Sequence, residues 1–107
     1  MAQKDFDYHT HLIILIIEND RHVNEPVCQA RDKAREMARN GEQISKEDIL
    51  AFPELFALRV RANRRVIDLE GFYPSKMEMD EALEIAAENI YDDVVAFEDI
   101  TNPDFYC

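Results

Sequence analysis

Two groups of residues in this 107-residue chain are of types and spacings that support chemistry. The first is Asp7-Tyr8-His9-Thr10-His11. On an extended strand alternate side chains share a face, so His9 and His11 would converge on a divalent cation with Asp7 beside them. On a helix the same two histidines diverge, and Asp7 and His11, four residues apart, make a simple side-chain pair instead. The second group is acidic. From Met77 to the C-terminus there are ten carboxylates and no lysine or arginine. The rest of the chain holds the other 13 acids and all 12 basic residues. A net charge of −11 is therefore a nearly neutral body joined to an acidic last third.

The Asp-x-His-x-His spacing of Asp7, His9 and His11 resembles the opening of metal-dependent hydrolases of the amidohydrolase and TatD types. The resemblance covers six residues, Asp7 to Leu12, and implies a barrel that delivers further histidines and aspartates to a metal. Such a barrel takes about 250 residues, and His22 is the only other histidine. The residues then read as polar positions at the start of an apolar element, with no metal and no cofactor. No glycine-rich phosphate loop or serine elbow is present, and an enzyme is not indicated.

Cys28 falls on an amphipathic stretch and is expected to be a buried, inert thiol. Cys28 and Cys107 are too few and too far apart to suggest a disulfide framework. The N-terminus lacks a basic segment leading into a long apolar run. The longest such run, Leu12 to Ile17, is far short of the ~20 residues of a membrane span. The expectation is a cytoplasmic protein without membrane contact.

The elements that must carry these residues are helical. Asn24-Glu25-Pro26 combines a capping residue with a first-turn proline and predicts a helix start, followed by Val27, Ala30, Ala34, Met37 and Ala38 at helical spacing and closed by Asn40-Gly41. Ser45 and Asp48 stand at capping-box spacing before Ile49, Leu50 and Phe52, and Pro53 ends or kinks that short element. Leu55, Leu58, Ala62, Val66 and Leu69 define a third apolar face, stopped by Gly71. Ser75 and Glu78 form a second capping box, opening a helix with the stripe Met79, Leu83, Ala86, Ile90, Val94 and Phe97. This stripe is read as core rather than as a dimer seam. The isoleucine-rich segment at about 11–18 fits a helix or a buried strand; a helix is preferred because a lone strand has no partner. The fold class is thus all-α, a small bundle of four to five helices, the alternative being α+β with a strand at about 11–18. A single helical domain spans 1–98, and 99–107 form an irregular tail.

On the last helix Glu78, Asp80, Glu81, Glu84, Glu88, Asp92 and Asp93 occupy 16 residues, or ~24 Å at the helical rise. One charge per ~3.4 Å equals the linear charge density of a single DNA strand. With Glu98 and Asp99 these acids are the candidate partner-binding residues. Two arginine stripes, Arg31, Arg35, Arg39 and Arg59, Arg61, Arg64, Arg65, are internal docking candidates for part of that charge. Direct nucleic-acid binding through them is disfavoured by the net charge. The functional expectation is a non-enzymatic acidic binding protein. It would present its C-terminal helix to the basic, nucleic-acid-binding surface of a partner protein, as an inhibitor or regulator of the DNA-mimic or phage anti-defence type, alone or as a homodimer. The alternative is a structural or assembly homo-oligomer or adaptor whose acidic face only maintains solubility.

Overall fold

The computed structural model describes residues 2–97, and the side chains of residues 6–95. Five helices follow one another: α1 (Ala2–Asn19), α2 (Arg21–Arg39), α3 (Lys46–Leu50), α4 (Pro53–Glu70) and α5 (Lys76–Phe97). The described residues contain no strand, so the chain is a small all-α bundle and the isoleucine-rich segment is helix. The expected tail at 99–107 lies outside the described residues.

Periodicity places the core. Ile13, Ile16 and Ile17 of α1 meet Val23, Val27, Ala30 and Ala34 of α2, Leu55, Leu58, Ala62 and Val66 of α4, and the α5 stripe from Met79 to Val94. α5 packs against α1, α2 and α3, while α2 packs against both α4 and α5. Alanines 82, 86 and 87 on α5 and alanines 30 and 34 on α2 are all buried. Small side chains at these positions let the helix axes approach closely. Leu69, expected on the α4 stripe, is exposed in the last turn of the helix.

The start of α2 departs from the sequence reading. The helix begins at Arg21, capped by Asp20, whose Oδ1 accepts from the Val23 N–H at 3.1 Å. Asn24 caps the preceding helix instead: its side-chain amide donates to the Ile17 carbonyl at 3.0 Å, and that of Asn19 donates to Leu15 at 2.8 Å. One residue, Asp20, therefore separates two long helices without a glycine.

Pro26 then lies inside α2, where it has no N–H to give the His22 carbonyl. Arg61 of α4 supplies the missing donor at 2.9 Å and pairs with Glu25 at 2.8 Å. A helix-breaking residue thus becomes a cross-helix tie. The other ends follow the expected chemistry. Gly71 adopts φ 76°, a left-handed backbone that a side chain disfavours. Both capping boxes form, with Ser45 and Ser75 each accepting from the backbone N–H three residues on at 3.1 Å.

Candidate partner-binding face

The elements sort the acids of α5 into three groups. Glu78 is turned inward. Its carboxylate accepts from the Ser75 N–H at 2.8 Å and from His9 Nδ1 of α1 at 2.9 Å, and the imidazole stacks on Phe72 with ring centroids 3.9 Å apart. Burial pushes Glu78 toward the neutral form. The hydrogen bonds from the Ser75 N–H, His9 and the Ser75 hydroxyl, with the charge of His9, outweigh it and hold the carboxyl below its usual value of 4.5.

Asp80 and Asp93 are partly exposed but paired. Asp80 accepts from Arg59 of α4 and from Lys76 at 2.9 Å. Its pKa lies below the usual range chiefly because of the Arg59 hydrogen bond, then that of Lys76. Asp93 meets Arg31 of α2 at 2.9 Å. Other arginines of the two stripes are paired in the same way, with Arg65 on Asp20 at 2.8 Å, Arg61 on Glu25 and Arg39 on Glu36, while Arg64 is exposed.

Glu81, Glu84, Glu88 and Asp92 remain. All four are exposed and none pairs with a described cation. They run along the outer crest of α5, on which Met77, Tyr91 and Val95 are also exposed. From Glu81 to Asp92 is ~16 Å at the helical rise, so the uncompensated charges stand ~5.5 Å apart. The strand-like density counted over seven acids is not reached by these four, because the fold neutralises the other three. Glu98 and Asp99 lie outside the described residues.

His9 and His11 share no site. His9 is half-buried against Glu78 and Phe72, whereas His11 is exposed, since a helix turns residues two apart to different faces. Among the described residues no group of three or more histidines, cysteines, aspartates or glutamates is gathered as a metal site. Cys28, expected to be a buried thiol, is half-buried and is not a free thiol. No helix of the described residues is long and apolar enough to cross a membrane.

The acidic crest is bordered by two clefts that sequence reading did not single out. One, of about 550 Å³, lies between the α3–α4 corner and α5, with Leu50, Pro53 and Phe56 facing Leu83 and Glu84. The other, of about 580 Å³, sets Ile44 and Ser45 before α3 against Tyr91, Val94 and Val95. The available signal was Phe56 and Val60, which are apolar, four residues apart and out of register with the buried α4 stripe. Both are exposed. A third cleft, of about 970 Å³ at the α1–α2 junction, mixes Asp20, Glu25, Arg21 and Arg65 and presents neither sign of charge alone. No protein-family model, curated protein or solved structure matches this chain.

Proposed function

We propose that this chain is a non-enzymatic binding protein that presents the exposed crest of α5 to a basic surface of a partner protein. It would act as an inhibitor or regulator by occupying a surface otherwise used for phosphate. One observation carries the reading: Glu81, Glu84, Glu88 and Asp92 stand exposed and uncompensated in a fold that pairs or buries Glu78, Asp80 and Asp93. Surface helices ordinarily interleave signs, and like charges at helical spacing repel by roughly 0.2–0.5 kcal/mol per pair. A cationic partner relieves that repulsion and gains attraction.

The test is capture of basic partners by the immobilised chain at ~50 mM and ~200 mM salt, beside the triple variant Glu84→Lys, Glu88→Lys, Asp92→Lys. Charge-driven capture weakens by more than tenfold across that range, is lost in the triple variant, and is competed by nucleic acid on the partner. Capture unchanged by the reversal overturns the reading.

A further inference from the structure

The two clefts beside the acidic crest are built on one repeat of α5. Asp80, Leu83 and Glu84 line the first, and Tyr91, Val94 and Val95 line the second. Each residue of the second set lies eleven positions after its counterpart in the first. Eleven residues make three helical turns to within about 20°, a translation of ~16 Å. The clefts therefore open on the same flank of α5, and the ends of α3 lie one in each. Between and above them stand Glu84 and Glu88. On the opposite bank Glu42 and Asp48 line the second cleft, and Arg59, paired with Asp80, lines the first. The apolar walls are open to solvent: Phe56 is 70% exposed and Val95 51%.

We propose that this flank is a receptor for one basic amphipathic helix of a partner protein, seating a bulky apolar residue in each cleft and lysines or arginines over Glu84 and Glu88. This inference rests on the reading of α5 as the partner-binding face and adds the partner's shape to it. The occupant's chemistry follows from complementarity. The apolar side chains in each cleft take apolar anchors, Glu84 and Glu88 on α5 with Glu42 and Asp48 across the second cleft take cations, and a helix lying along α5 presents residues eleven apart on one side. A second copy of this chain does not fit. A two-fold contact places the same patch on both partners, so the acidic crest would face itself.

Binding of fluorescent helical peptides to the full chain tests the register. About twenty-residue lysine/alanine peptides carry two leucines eleven apart, two leucines seven apart, or alanine at every anchor. The peptide with leucines eleven apart is expected to bind about tenfold tighter than the alanine peptide, through burial of the two side chains. Phe56→Ser and Val95→Ser should each reduce that preference, and because both side chains are already exposed the variants keep their fold, checked by thermal melting. Equal binding of the alanine peptide, or no preference for eleven over seven, overturns the clefts. The acidic face still stands if that binding is salt-sensitive and lost in the triple lysine variant. No binding of any peptide overturns both.

Discussion

Glu78 accepts hydrogen bonds from two parts of the chain that lie far apart in sequence: Ser75 at the start of its own helix and His9 on α1. Its charge is thus a folding element rather than a docking element. Because its folded pKa is depressed below 4.5, the stability it contributes is fully present above that value and is lost as pH falls through the folded pKa. Glu78→Gln is expected to lower the unfolding free energy by about 1–2 kcal/mol near neutral pH. The deficit should shrink as pH falls below about 4.5, where the carboxyl of the unfolded chain takes up its proton first, and vanish below the depressed folded pKa. Urea unfolding of both proteins across that range measures it, and a deficit that grows on acidification contradicts the assignment. Thr10 is simpler. Its hydroxyl is buried without a hydrogen-bond partner among the described residues, so Thr10→Val should be neutral or stabilising by up to about 1 kcal/mol, read from the same unfolding curves.

At the scale of the element, α5 does two jobs that pull in opposite directions. Its inner stripe, Met79 to Val94, is core, while its crest stacks Glu84 over Glu88 and Glu88 over Asp92. The dipole opposes the last of these acids near the C-terminal end. Glu88→Lys turns two repulsive pairs into attractive ones and should stabilise the isolated protein by about 0.5–1 kcal/mol. The same change should weaken capture of a basic partner. A more stable, poorer binder in calorimetry and binding assays is the expected result, and a variant unchanged in both would remove the crest from consideration. α2 carries a different lesson. The proline that reads as a first-turn residue sits inside the helix, because Arg61 of α4 covers the carbonyl it leaves bare.

Across the whole molecule, charge is separated from bulk. Ion pairs from Arg31, Arg59, Arg61 and Arg65 lock helices together and leave the negative field concentrated along α5. A field of one sign along a body 44 Å long and about 23 Å across steers encounter more than it holds a complex. The association rate with a basic partner should therefore fall steeply as ionic strength rises, while dissociation changes much less. Stopped-flow kinetics at several salt concentrations separate the two, and a salt effect confined to dissociation contradicts steering.

The sequence by itself determined the all-α class, the capping boxes at Ser45 and Ser75, the stop at Gly71 and most core positions. These depend on spacing within one segment, and a helix records its own periodicity. Sequence also located the acidic last third. It did not reveal which of those acids are free, because that depends on cations brought from α2 and α4 and on His9 from α1. Asp80 and Asp93 look like Glu81, Glu84 and Glu88 until helices distant in the chain are packed beside them, and Glu78, already placed in the Ser75 capping box, gains its His9 bond only when α1 is packed against it. The α2 start was misplaced for the same reason: Asn24 and Pro26 carry local signals, but their partners, Ile17 and Arg61, lie across helix contacts. Only the tertiary structure decided the four-acid crest and the paired clefts that flank it, since both are made where separate elements meet.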